Sequence, residues 1–154
     1  MKLRDGKLTE KHAKELSAWK YEGEYKLYNL PDWQTMINEN YALCDEIKRN
    51  RFIAYTNENN ELLGFISLLN QDVSVFLGIG VKPKYCNQGI SKEILKLALK
   101  KYKEKFPNKS ITLEVRTWNK RAINCYKAQG FQIIDTKYQE TYLGFGEFYI
   151  MIYK

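Results

Sequence analysis

The stretch VKPKYCNQGISKEIL, residues 81–95, passes from the end of an apolar run through a proline and a lone glycine into a lysine-rich amphipathic segment. A strand, a tight polar turn and a helix start in that order can cradle an anion. The first N–H groups of a helix have no intrahelical acceptor, and the aligned peptide dipoles leave partial positive charge beside them. The same residues also read as a surface turn with Ser91 as an N-cap. Further along, Tyr126 lies seven positions after Asn119, on the same face of a helix and two turns down. A phenol with a reference pKa of about 10 stays protonated at neutral pH and can give its proton to a thiolate, whose parent thiol titrates at about 8.5. Tyr126 as a core aromatic and Asn119 as a plain cap is the structural alternative. Glu114 stands twelve positions before Tyr126 in a strand pattern. A carboxylate on a central strand must be paired, hydrated in a cleft or raised in pKa, and a raised pKa suits a base. Its structural alternative is an ion pair with Arg116 or a lysine.

These groups require elements to hold them, and the hydrophobic period supplies candidates. Residues 9–19, TEKHAKELSAW, place Ala13 and Leu16 at helical spacing behind Thr9 as N-cap. In PDWQTMINENYALCDEIKRN, residues 31–50, one side carries Trp33, Met36, Ile37, Leu43, Cys44 and Ile47. This predicts a second helix with Pro31 and Asp32 at its start and a break near Asn40. From Arg51 the period changes: RFIAYT, ELLGFISLLN and VSVFLGIGVK, separated by turn residues, predict an antiparallel meander of three strands. Gly78 and Gly80 inside the last run predict a bulge or a close backbone approach, with simple packing as the alternative. Residues 89–105 are apolar over so broad an arc that a helix covered on more than one side is expected. SITLEVRT predicts a strand, and NKRAINCYKAQG a short helix from N-cap Asn119 to Gly130. Two strands follow, one near 131–142 and one over EFYIMIYK after an LGFG turn. The fold class implied is α/β, one central mixed sheet with helices on both faces.

Composition sets the bounds. The 154 residues fit one domain, 1–154, and 44% hydrophobic with 14% aromatic content is ample for a core. No apolar run approaches the roughly 20 residues of a membrane span, and MKLRDGKLTEKHAKEL lacks the apolar core of a signal peptide, so a cytoplasmic location and no membrane partner are expected. Cys44, Cys86 and Cys125 with the single His12 build neither a disulfide framework nor a metal site. Cys86 reads as a reactive thiol or an incidental small residue, and Cys125 as core packing. The net charge of +7 attracts polyanions, whether nucleic acid, acidic protein or a phosphorylated small molecule. Its lysines are spread over helical faces with no dense arginine block, the pattern of a solvated surface.

NKRAINCYKAQGF resembles the N-x-x-A-x-x-x-Y-x-x-x-G-F segment of the GNAT superfamily of N-acetyltransferases, and the 81–95 stretch then falls into register. In that superfamily a strand ending in V-x-P is followed by Q/R-x-x-G-x-G/A, whose backbone amides hold the pyrophosphate of acetyl-CoA. Here Cys86 stands where Gln or Arg is usual and Ser91 where Gly or Ala is usual. LEVRTWNKRAINCYKAQGF also closely resembles the matching segment of the ribosomal-protein alanine N-acetyltransferases, in which the Glu accepts a proton and the Tyr twelve residues later donates one. By that resemblance Glu114 is the base and Tyr126 the acid. Acetyl-CoA is the implied co-substrate, held by Asn87, Gln88, Gly89, Ile90, Ser91 and Lys92. The main chain of Ile79, Gly80 and Val81 and the side chain of Asn119 would meet its pantetheine arm. Direct transfer to a primary amine, without metal or covalent enzyme intermediate, follows from the family.

The acceptor implied is a small-molecule amine, an aminoglycoside-like polycation or a protein N-terminus. The segment WKYEGEYKLYNLPDW, residues 19–33, reads as an acceptor wall or as a packed aromatic loop. A monomer or homodimer is expected. The rival from another class is a non-catalytic module on the same fold that binds CoA or, less in keeping with the dispersed lysines, nucleic acid.

Overall fold

The computed structural model describes residues 2–141 and 144–153. Its elements are β1 (Arg4–Lys7), α1 (Glu10–Ala18), α2 (Trp33–Asn38), β2 (Phe52–Thr56), β3 (Leu62–Asn70), β4 (Ser74–Val81), α3 (Ile90–Lys105), β5 (Ser110–Arg116), α4 (Lys120–Ala128), β6 (Phe131–Thr141) and β7 (Gly144–Tyr153), with short 3-10 turns between them. The seven strands form a mixed sheet in the order β1-β2-β3-β4-β5-β7-β6. The β4–β5 pair is parallel, while β1–β2, β2–β3, β5–β7 and β6–β7 are antiparallel. Parallel neighbours need a crossover, and α3 supplies it. The chain divides into two compact units, residues 1–67 with 79–94 and residues 68–78 with 95–154.

In the first unit, Thr9 caps α1 as expected. Its hydroxyl accepts from the His12 amide at 3.2 Å, and His12 Nδ1 accepts in return from the Thr9 amide at 3.2 Å, closing a capping box. The sole histidine is thus engaged in a cap. The core of this unit gathers Leu8, Ala13, Leu16, Trp19, Met36, Leu43, Ala54 and Leu62. The helix expected over 31–50 is corrected to the six residues of α2, capped by Asp32 Oδ1 on the Thr35 amide at 2.9 Å, followed by 3-10 turns at Ala42–Cys44 and Lys48–Arg51. Asn40 takes a left-handed φ of 59°, which ends the helix, and Ile47 is left 80% exposed. β1 carried no apolar signal: all four of its residues are exposed, and its register comes from pairing with β2.

In the second unit, Ile111, Leu113 and Val115 of β5 are buried while Thr112, Glu114 and Arg116 are half-buried. The Glu114 face is therefore less closed than a sheet covered on both sides predicts. The parallel register with β4 runs Ser74↔Ser110, Val75↔Ile111, Phe76↔Thr112. Gly130 has a φ of 109°, the left-handed residue expected after α4. The arc of α3 resolves into one stripe: Ile94, Leu95, Ala98 and Leu99 are buried and Lys92, Glu93, Lys96 and Lys100 are exposed. Of the turn expected at 143–146, Leu143 lies outside the described residues, as do Tyr142, expected in the preceding strand, and Lys154; residues 144–146 already belong to β7. Among the described helices none is long and apolar enough to cross a membrane.

Candidate active site

The first unit carries the end of β4 and the turn into α3. Gly80 is explained by close approach. A Cβ there would lie 2.8 Å from Phe65 Cζ, and one at Gly64 would lie 2.6 Å from the Gly80 carbonyl oxygen. The Val81 carbonyl accepts from the Tyr21 hydroxyl at 2.7 Å, and the Lys82 amide donates to the Leu63 carbonyl at 2.8 Å. Burial, then the nearby Cys86, push the Tyr21 phenol well above its ordinary range, so it donates throughout the accessible pH range. Trp19 is buried and tilted against Phe65 at 6.4 Å, while Tyr28 is exposed. The 19–33 segment is therefore packed at both ends, where Leu30 and Trp33 also meet the core, and open in its middle.

Beyond β4 a 3-10 turn at Pro83–Tyr85 leads into Asn87, with φ 65°, and Gly89, with φ 80°. Left-handed residues on either side of Gln88 are a backbone alternation of the kind that can form an anion nest. The Glu93 amide donates to the Gly89 carbonyl at 3.2 Å, which makes Gly89 the residue that opens α3. The N-cap expected of Ser91 is corrected: Ser91 lies inside the first turn. Glycine has no side chain to cap the amides of residues 90–92, and no atom lies within 4 Å of where a Gly89 Cβ would project. An open, left-handed turn at a helix N-terminus fits a pyrophosphate group. Asn87, Gln88, Ser91 and Lys92 are exposed and Ile90 is half-buried. Cys86 directs Sγ toward the Lys82 and Val81 carbonyls, at 3.7 and 3.9 Å, where a thiol is at most a weak donor.

Glu61, in the turn before β3, escaped the sequence reading. Its Oε1 accepts from the Tyr85 hydroxyl at 2.6 Å, and its Oε2 lies 3.3 Å from Lys82 Nζ and 3.5 Å from Lys84 Nζ. No local spacing could have shown this, because the partners lie more than twenty positions away. The Tyr85 hydroxyl first, and the two lysines after it, hold the Glu61 carboxyl at about 2 against partial desolvation. A carboxyl depressed on folding stabilises the native state above its unfolded pKa, and that contribution is lost as pH falls through about 2. The Glu61 side-chain resonance should therefore titrate near pH 2 by NMR, and Tyr85→Phe should move its midpoint upward. A wild-type midpoint in the ordinary glutamate range of about 4.3 would discard this assignment.

The second unit carries the other residues. Glu114 is paired, and its partner is Lys137 on β6: Nζ lies 2.6 Å from Oε2, with side-chain exposures of 35% and 24%. Of the expected partners, Arg116 or a lysine, the lysine is the one found, and Arg116 lays its guanidinium over the Phe148 ring at 4.6 Å. Gly146 leaves room for it, since a Cβ there would lie 2.9 Å from the Arg116 Cζ. Asn119 is buried and caps α4 through Oδ1, which accepts from the Ala122 amide at 3.2 Å. Tyr126 is half-buried, with its ring edge-on to Phe131 at 6.0 Å. Both structural alternatives thus have contacts, a cap for Asn119 and an aromatic neighbour for Tyr126. Cys125 is half-buried and so only partly a core residue.

Residues 12–131 match the acetyltransferase (GNAT) family. Over 83 residues the chain is 34% identical to the peptidyl-lysine N-acetyltransferase YiaC of Escherichia coli K12, an alignment covering 54% of this chain and 51% of that protein. The chain thus spans about half the length of this relative. Among solved structures, the ribosomal-protein-S18-alanine N-acetyltransferase of Escherichia coli superposes with a TM-score of 0.70 at 19% identity, covering 99% of this chain and 93% of that one. A spermidine N-acetyltransferase SpeG chimera from Vibrio cholerae gives 0.77 at 18%, with coverage of 99% and 95%. At these identities the structural likeness establishes the fold.

Proposed function

The chain belongs to the acetyltransferase (GNAT) family, and from that premise we propose that residues 1–154 act as one N-acetyltransferase domain that uses acetyl-CoA and a primary amine. The acceptor is a small molecule or a protein N-terminus. A lysine side chain, the acceptor named for the Escherichia coli relative, belongs to the same chemical class. The reading is of a cytoplasmic enzyme, monomeric or homodimeric, without a metal. The observation that carries it is the open turn at Asn87 to Gly89 on the α3 N-terminus.

Acetyl-CoA supplies the acyl group as a thioester, whose C–S bond breaks as the N–C bond to the amine forms. The amides of Asn87, Gln88, Gly89, Ile90 and Ser91 hold the pyrophosphate, with Lys92 adding positive charge. The Ile79, Gly80 and Val81 main chain and the Asn119 side-chain amide bind the pantetheine arm. Glu114 takes the proton from the acceptor ammonium, directly or through a water, Tyr126 gives one to sulfur, and the second proton that nitrogen sheds as the amide forms restores the phenol.

The decisive assay is acetyl-CoA-dependent thiol release across an amine library. At least one amine should raise the rate well above hydrolysis in buffer. No stimulation by any amine, with CoA bound normally in calorimetry, favours the non-catalytic reading; oligonucleotide binding without CoA binding favours the nucleic-acid module. The loop has its own test. Gly89→Asp puts a carboxylate where the pyrophosphate should lie, at a φ of 80° that aspartate tolerates better than most residues. CoA affinity should fall at least tenfold, about 1.4 kcal/mol, and unchanged affinity in a folded variant removes the loop from the cofactor site.

A further inference from the structure

We infer that Glu61 is a positioning residue for the pyrophosphate loop, holding the 82–85 turn and through it the main chain of 87–91. The inference rests on the acetyl-CoA reading above.

The connection is continuous from Asn57 to Gln88. Asn57, buried at 5% exposure, accepts through Oδ1 from the amides of Asn59 at 2.9 Å and Glu61 at 3.0 Å, and its Nδ2 lies 3.3 Å from Glu61 Oε1. Glu61 is therefore fixed by a satisfied buried amide before it meets the loop. It then takes hold of three of the four side chains over 82–85, at Lys82, Lys84 and Tyr85. Lys82 precedes, and the other two lie in, a 3-10 turn closed by Tyr85 N to Lys82 O at 2.9 Å and Cys86 N to Pro83 O at 3.2 Å. The Lys84 carbonyl accepts from Gln88 Nε2 at 3.0 Å, so the turn reaches into the nest itself. Tyr21 fixes the other end at the Val81 carbonyl.

Such bracing has a physical purpose. Asn87 holds a left-handed φ, a conformation that asparagine tolerates but does not adopt by default, so the turn keeps it only where its surroundings select it. A loop that visits the competent form a tenth of the time binds about ten times more weakly. Electrostatics alone predicts the opposite sign. Glu61 draws Lys82 and Lys84 toward itself, and removing its charge would release Lys84 and leave Lys82 with only its longer contact to Glu15, at 3.8 Å, raising the positive charge near an anion site. The direction of the change in CoA affinity therefore separates bracing from charge.

The test compares wild type, Glu61→Gln and Tyr85→Phe for coenzyme A by calorimetry and for pantetheine, which lacks the pyrophosphate, by NMR titration. CoA Kd should rise about tenfold in Glu61→Gln and about threefold in Tyr85→Phe, with pantetheine Kd changed less than about twofold. Tyr85→Phe removes one hydroxyl and no charge, so it carries the test alone if Glu61→Gln does not fold. Unchanged or tighter CoA binding overturns the inference. So does a parallel loss for both ligands, the mark of a residue that only supports the fold. A wild-type protein that binds no CoA overturns the cofactor reading and this inference with it, whereas wild type and variants that bind alike overturn the inference alone.

Discussion

Glu114→Gln should lower kcat/KM by about 10² to 10⁴ at the acid end of the activity range, with partial recovery as pH rises. Glutamine keeps the shape and the hydrogen-bonding reach of the side chain but accepts no proton. The acceptor ammonium must then lose its proton to solvent, which becomes easier toward its own pKa, about 10.4 for a lysine-like amine. The recovery at high pH is the signature of a missing base. The Lys137 pair offers the competing account, and magnitude decides between them. An ion pair with its side chains 24% and 35% exposed contributes roughly 0–1 kcal/mol. A hundredfold loss of rate corresponds to about 2.7 kcal/mol of barrier, too much for that pair to supply. A purely structural role also predicts that Lys137→Met and Glu114→Gln behave alike, each with a small drop in stability and an unshifted profile. A base role makes them unequal, with Glu114→Gln the slower. A pH-rate profile for Glu114→Gln parallel to wild type and within threefold of it rejects the base assignment.

Tyr126→Phe should lower kcat by a comparable factor, about 10² to 10⁴, while CoA Kd stays within about twofold. The ring packs edge-on against Phe131, and phenylalanine preserves that contact, so the fold has little reason to respond. What disappears is the proton for the departing thiolate. Acceptors cannot replace it, so the loss should be the same for every amine that the thiol-release screen finds. Turnover within twofold of wild type would make Tyr126 a packing residue and leave protonation of the thiolate to solvent.

The nest at Asn87 to Gly89 shows where local sequence suffices. Its glycine, the preceding V-x-P and the amphipathic run behind it all lie within one stretch of chain, so the turn and the start of α3 were legible together. The same holds for α4, whose N-cap Asn119 and left-handed Gly130 are both local signals that the structure reproduces. The mixed sheet was legible because apolar alternation marks each strand of the meander and β5. Where such signals were weak, tertiary structure decided. β1 has no buried residue and exists because β2 offers it a hydrogen-bonding edge. The 31–50 segment breaks at Asn40, as its pattern suggested, but beyond the break it forms 3-10 turns in place of further helix, and the core takes Met36 and Leu43 while leaving Ile47 exposed.

The charged partners divide in the same way. The sequence offered Arg116 or an unspecified lysine as the companion of Glu114, and the β5–β7–β6 strand order decides for Lys137, twenty-three positions away, while Arg116 lies over Phe148. Glu61 and Tyr85 are equally invisible to spacing, and only the folded chain joins them. Short-range geometry, which depends on φ, capping and period, was determined by the sequence itself. Which carboxylate meets which cation was decided by strand order and turn placement, because an ion pair is a long-range contact whose partners carry no mark of one another in the linear chain.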